Sequence, residues 1–286
     1  LSLGLSPKLV DLLVERKIDA PTEIQRQLIP QVLAGRDCRA ITRTGSGKTN
    51  AYLLPLLQMV RPGEGLQALI LLPTREVAAQ AQRNLERHSR EFPLRVRVAT
   101  SSRGRPVQPP RDRDGERLTG GTPNILLGTP GAIRGLARHE KLDLSTVRIL
   151  VLDEADSLLE GSSPEAIQEL INHASPDRQI IIFAAEFDET LTALADRNQR
   201  DPVLVEAQPQ STPMAEVDQR VLSVAPDRRY EAVMGLLKHE HCKAVCIFAA
   251  HDNDAEKLAH RLERAGIEAR WLNGQRLDER RPPRRD

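Results

Sequence analysis

The sequence predicts an α/β protein made of two parallel-sheet units in tandem, the second of them incomplete in this chain. Three observations lead there. Short continuous apolar runs alternate with segments of helical period, the pattern of a parallel sheet covered on both faces. Each run is followed at once by small or polar residues, and ligands of such sheets bind at the carboxyl ends of the strands. Beyond residue 206 the apolar period stops, in Ala207-Gln208-Pro209-Gln210-Ser211-Thr212-Pro213, and the same alternation then starts again. The expected layout is a first domain over 1–206, a linker over 207–218 and a partial second domain over 219–286.

Taken in order, Ser6-Pro7 reads as a helix start with Pro in the first helical position, and Leu9, Val10, Leu12 and Leu13 follow at helical spacing. Ala20-Pro21 breaks that helix, and Thr22 can cap a second one with Gln25 in its first turn. Strands are expected at Ala40-Ile41, Ala68-Leu69-Ile70-Leu71-Leu72, Val96-Arg97-Val98, Ile125-Leu126-Leu127, Ile149-Leu150-Val151-Leu152 and Ile180-Ile181-Ile182-Phe183. Residues 101–121 interrupt the rhythm with Arg103, Arg105, Arg111, Arg113 and Arg117 among prolines. That composition suits a solvated insertion, or alternatively a basic arm for phosphates. In the second unit Val221-Leu222-Ser223-Val224, Ala244-Val245-Cys246-Ile247-Phe248 and residues 267–272 read as strands, with Cys246 and Trp271 in the core. A helix is expected over 227–238. A second is capped by Asn253 with Glu256 and ended by Gly266.

The chemistry gathers in the polar clusters. Thr42-Arg43-Thr44-Gly45-Ser46-Gly47-Lys48-Thr49 lies between an apolar run and a helical segment. Its glycines can turn successive N–H groups inward around phosphate oxygens, Lys48 adds a point charge, and Thr49 offers a hydroxyl to Mg2+. The strict form of this loop has Gly six positions before the lysine, where Thr42 stands. Asp153-Glu154 directly follows a strand, so an acidic pair can reach a nucleotide at the neighbouring loop. There Asp153 would serve the metal and Glu154 would orient or deprotonate water.

Composition narrows the partners. A formal charge of +1 means that any nucleic-acid contact comes from local patches. Aromatic residues are 2% of the chain, which argues against reading single strands by base stacking and favours backbone contacts. Three cysteines form no disulfide framework and fit a reducing intracellular compartment, whether cytoplasm, nucleus or organelle. No apolar run has the length of a membrane span, and no charged-then-apolar leader opens the chain, so a protein that is neither secreted nor membrane-bound is expected. His239, His241, Cys242, Cys246 and His251 fall near one another without matching a common zinc spacing.

Pro21-Thr22-Glu23-Ile24-Gln25, the loop ending in Gly47-Lys48-Thr49, Pro73-Thr74-Arg75-Glu76, Thr129-Pro130-Gly131 and Asp153-Glu154-Ala155-Asp156 stand in the order and spacing of one family. The chain resembles the DEAD-box RNA helicases over its first domain and, more weakly, through Phe248 into the second. The resemblance implies two RecA-like domains, ATP and Mg2+ as cofactors, and RNA, with a ribonucleoprotein complex, as partner. It implies that Gln25 selects adenine, that Thr42, Arg43, Thr44, Gly45, Ser46, Gly47, Lys48 and Thr49 hold ATP, and that Thr49 and Asp153 hold Mg2+ beside catalytic Glu154. It further implies that Pro73, Thr74, Arg75, Thr129, Pro130, Gly131, Phe248 and Arg281 meet the RNA backbone. Asp156, Ala184, Ala185 and Glu186 would couple hydrolysis to strand separation.

Departures from the family pattern carry their own expectations. Ala184-Ala185-Glu186 lacks the two hydroxyls of the family's Ser-Ala-Thr stretch, which would loosen the acidic loop and set Glu186 against Asp156. Ile18 replaces an aromatic that stacks on adenine, Ala132 replaces an Arg near RNA, and Asp278 falls where Gln is usual. Arginine-finger motifs do not occur before Asp286. Two readings follow: an ATP-dependent RNA helicase, or a catalytically weakened helicase relative that serves as an RNA-binding assembly factor, for example in ribosome assembly.

Overall fold

The computed structural model describes residues 3–42, 45–89, 92–99, 122–140, 142–207, 218, 220–239 and 244–271. The chain divides into two compact units, Leu1–Thr212 and Pro213–Asp286. The expected linker over 207–218 is described only at its two ends.

The first unit opens with two helices, α1 (Pro7–Glu15) and α2 (Glu23–Leu33). Seven parallel strands follow, β1 (Cys38–Ile41), β2 (Ala68–Leu71), β3 (Val96–Ala99), β4 (Ile125–Gly128), β5 (Ile149–Leu152), β6 (Gln179–Ala184) and β7 (Val203–Glu206). They pair in the order β3-β4-β2-β5-β6-β1-β7. Between them run α3 (Lys48–Met59), α4 (Arg75–Ser89), α5 (Pro130–Glu140), α6 (Ala155–Gly161), α7 (Pro164–His173) and α8 (Glu189–Asn198). The edge strand β7 was not expected, and its Leu204 is exposed.

Because side chains alternate along a strand, each apolar run serves two cores. Ile149 and Val151 of β5 join Ile70, Ile125, Leu127 and Phe183 on one face, under α1, α2, α3 and α4. Leu150 and Leu152 join Leu69, Leu126, Ile180 and Ile182 on the other, under residues of α5, α6, α7 and α8. Each fully buried Leu or Ile contributes about 1.5–3 kcal/mol relative to exposure. That is why these runs are continuous rather than alternating in sequence. No helix among the described residues is long and apolar enough to cross a membrane.

The second unit differs from expectation. A 3₁₀ turn at Pro226–Arg228 leads into α9 (Arg229–His239), and α10 (Asp252–Arg264) follows. The strand-like segments at 221–224 and 244–248, and the described part of 267–272, have no ladder partner among the described residues. Val221 and Phe248 are 98% and 93% exposed, Cys246 is exposed and Trp271 is half-buried, so none is core. A strand is stable only when its backbone groups are paired, and apolar sequence alone does not supply the partner. Helix α10 is capped by His251 rather than Asn253, and Gly266, at φ +80°, ends it as expected.

At the carboxyl end of β4, Gly128 pairs with Ala99 of β3. A Cβ on Gly128 would collide with the Ala99 carbonyl oxygen, a backbone atom with little freedom to move. Gly128→Ala is expected to destabilise the chain by about 1–3 kcal/mol, through overpacking, in urea unfolding.

Candidate functional site

All seven strands run the same way, so their carboxyl ends share one edge of the sheet. Read along that edge, Thr129-Pro130-Gly131 follows β4, Pro73-Thr74-Arg75 follows β2, Asp153-Glu154 follows β5, Ala184-Ala185-Glu186 ends β6, and the glycine loop follows β1. Five clusters scattered over the sequence thus form one line.

The glycine loop is shaped by its neighbours. Thr42 N donates to the Ala184 carbonyl at 2.9 Å, extending the β1–β6 pairing by one residue. Gly45 and Gly47 take φ +85° and +87°, and Gly47 is the N-cap of α3. A Cβ on Gly47 would sit 2.8 Å from Gln25 Nε2 and 2.9 Å from Thr22 Oγ1, so space as well as dihedral demands glycine there. Gln25, buried in the first turn of α2, accepts from Thr22 N at 3.1 Å and donates to the Gly47 carbonyl at 3.1 Å. The expected adenine selector therefore also ties α2 to the loop. Arg43 and Thr44 lie outside the described residues.

Lys48 stands at the start of α3 and turns to the acidic cluster. Its Nζ is 2.9 Å from Glu154 Oε1 and 3.2 Å from Asp153 Oδ1. Glu154 holds a left-handed backbone, φ 53° and ψ 54°, as the N-cap of α6. For a residue with a side chain this costs on the order of 1–3 kcal/mol, a strain typical of functional sites. One ammonium faces two carboxylates, leaving an excess negative charge suited to a divalent cation. Thr42 Oγ1 and Ser46 Oγ are buried without a hydrogen-bond partner among the described residues. Such orphaned groups mark a place for a polar ligand. Thr49 and Asp153 offer only oxygen, the donor set Mg2+ prefers.

Burial is the main influence on Asp153, which is 2% exposed, and it raises the carboxyl pKa even though Lys48 and Tyr52 pull it down. For Lys48, burial is also the largest single effect and acts downward. The charges of Asp153 and Glu154 together outweigh it, and its pKa is raised. Tyr52 is the functional residue that sequence reasoning missed: its hydroxyl donates to Asp153 Oδ2 at 2.9 Å. The available signal was its place four residues after Lys48, on the same face of α3.

Asp156 corrects an expectation. Its Oδ2 accepts from Ala185 N at 2.9 Å and its Oδ1 from Ser157 N at 3.0 Å. The acidic loop is therefore fastened to the end of β6 through main-chain donors, without the missing hydroxyls. Glu186 is exposed and Ala184 is buried. On the other half of the edge, Thr74 Oγ1 accepts from Val77 N at 3.3 Å and Thr129 Oγ1 from Ala132 N at 3.4 Å. These threonines start α4 and α5 on adjacent strands, and Thr74 and Gly131 are exposed there. Ala132 is 5% exposed and belongs to the core under α5. Phe248 belongs to the second unit, and Arg281 lies outside the described residues.

Residues 22–194, more than half the chain, match the model of the DEAD/DEAH box helicase family. The chain belongs to that family. It is 35% identical over 269 residues to RNA helicase CrhR of Synechocystis, covering 92% of this chain and 52% of the relative. It is 33% identical to the Escherichia coli ATP-dependent RNA helicase DeaD, covering 95% of this chain and 42% of that protein. Against human DDX46, a probable ATP-dependent RNA helicase, the identity is 31% over 95% of this chain and 27% of the relative. The chain thus spans about half or less of these curated relatives. A DEAD box protein from Methanococcus jannaschii superposes with TM-score 0.64 at 27% identity, covering 92% of this chain and 69% of that one. A hypothetical ATP-dependent RNA helicase from Sulfolobus tokodaii gives TM-score 0.61 at 25% identity, over 90% and 72% of the two chains.

Asp153's raised pKa means that stability is lost as pH rises from the unfolded carboxyl value through the folded one. Lys48 limits that loss, and its own raised pKa leaves it fully charged throughout this range. Lys48→Met should therefore extend the loss to higher pH and destabilise the chain at neutral pH by about 3 kcal/mol, the low end for a broken buried pair because Tyr52 remains. Urea midpoints between about pH 4 and 8 check this. Parallel pH profiles for parent and variant would refute it.

Proposed function

We propose that this chain supplies the ATP-binding and RNA-gripping parts of an ATP-dependent RNA helicase that remodels RNA or ribonucleoprotein. The observation that carries the proposal is Lys48, held at the mouth of the glycine loop against both Asp153 and Glu154. A cation between two carboxylates is exchangeable: phosphate oxygens entering the loop compete for it.

On this reading the loop from Thr42 to Lys48 binds the triphosphate of ATP through backbone N–H groups and the Lys48 charge. Gln25 would exchange one of its internal hydrogen bonds for the adenine edge, so that base recognition is felt at Gly47. Thr49 and Asp153 would hold Mg2+, which when bound neutralises charge on the phosphate oxygens. Transfer of Lys48 to phosphate frees Glu154 Oε1 to accept a proton from the attacking water. The starts of α4 and α5, with Pro73, Thr74, Arg75, Thr129, Pro130 and Gly131, would meet the sugar-phosphate backbone of one strand; Thr74 and Gly131 are the exposed members of this set and Pro130 is buried. Contacts of this kind fix position without reading sequence.

The alternative of a scaffold without a motor rests on the altered Ala184-Ala185-Glu186 stretch and on the lack of arginine-finger motifs before Asp286. The Asp156–Ala185 bond counts against the first of these grounds.

The test is RNA-stimulated ATP hydrolysis by the full-length protein beside Glu154→Gln. Turnover should fall at least about a hundredfold in the variant while ATP binding persists. A parent that neither binds nor hydrolyses ATP would overturn the proposal. In the same protein, Ala184→Ser with Glu186→Thr should change duplex separation per ATP by less than about twofold, because Asp156 already has its donor. A large gain would show that the main-chain tie is insufficient.

A further inference from the structure

One buried polar group at this edge of the sheet is outside the phosphate, cation and RNA contacts: the Tyr52 hydroxyl. Its ring is 0% exposed and packs on Phe183 of β6, with centroids 5.4 Å apart and planes tilted by 57°. The hydroxyl donates to Asp153 Oδ2 at 2.9 Å. A phenol hydroxyl carries its proton at neutral pH, so the group is a donor. Tyr52 thus binds one of the two residues that would offer oxygen to a cation, and shares α3 with the other, Thr49.

The consequence is that the two oxygens of Asp153 are not equivalent. An Asp carboxylate turns about its last bond in a broad, nearly two-fold well. With Oδ2 engaged by Tyr52, Oδ1 is left to the ion pair with Lys48 Nζ at 3.2 Å. We propose that Tyr52 is a positioning residue for Asp153, its hydroxyl holding Oδ2 so that Oδ1 is the oxygen presented to the divalent cation or its water. This rests on the ATP- and Mg2+-binding reading of the same site.

Partners that orient a metal-ligating group contribute about 10–100-fold to metal affinity. Tyr52→Phe keeps the ring against Phe183 and removes one oxygen, and thermal melting verifies the fold. The experiment measures binding of a fluorescent ATP analogue to parent and variant in EDTA and across a Mg2+ titration. The expected result is a Mg2+ midpoint raised about tenfold with affinity in EDTA unchanged. An unchanged midpoint overturns the proposal. So does an equal loss with and without Mg2+, which would make Tyr52 a packing residue only. Adding Tyr52→Phe to Asp153→Asn should shift the midpoint no further, and a further shift of the single-variant size also overturns it. A parent whose binding is insensitive to Mg2+ refutes instead the cation reading on which this one rests.

Discussion

A carboxylate that is 2% exposed dominates the site, because an uncompensated buried charge is among the most destabilising features a fold can carry. Asp153 is admitted to the interior only because Lys48 supplies a countercharge and Tyr52 a hydrogen bond. Both come from α3, four residues apart, so one helical face serves the whole arrangement. That helix in turn starts where Gly47 lets it start, and Gly47 is fitted against Gln25 of α2 and Thr22, the N-cap of α2. A chain of steric and electrostatic necessity therefore runs from α2 through the loop to the acidic pair.

The sheet makes this possible at low cost. Parallel strands place successive carboxyl ends side by side, and the strand order puts β6 between the glycine loop and the acidic pair. Lys48 bridges that gap from the first turn of α3. The same order groups the ends of β2 and β4, where two threonine-capped helices begin. The groups proposed to meet nucleotide and those proposed to meet RNA are thereby separated along one edge, with Asp153-Glu154 at the boundary between them.

Much of this was legible in the sequence. Six strands of the first unit announced themselves, because runs such as Ile149-Leu150-Val151-Leu152 must be apolar on both faces. The edge strand β7 did not, since Leu204 faces solvent and the run Val203-Leu204-Val205 is short. In the second unit, Val221 and Phe248 have strand-like surroundings in sequence but no partner in the described structure. Pairing is a property of two segments and cannot be read from one. Of the site, the charged and glycine residues were visible because few other roles require them at that spacing. Tyr52 was hidden inside an apolar helix, where an aromatic ring passes for core and its hydroxyl leaves no periodic trace. The Asp156 tie was misjudged because reasoning from side chains overlooks the amide of Ala185.

That amide has a meaning for descent as well as for structure. A bond whose donor belongs to the main chain is inherited with the course of the backbone, whatever side chains a lineage places at 184–186, so long as residue 185 is not proline. Homologues that have lost every hydroxyl from this stretch can keep the connection intact. Their divergence there is then no measure of a lost mechanism.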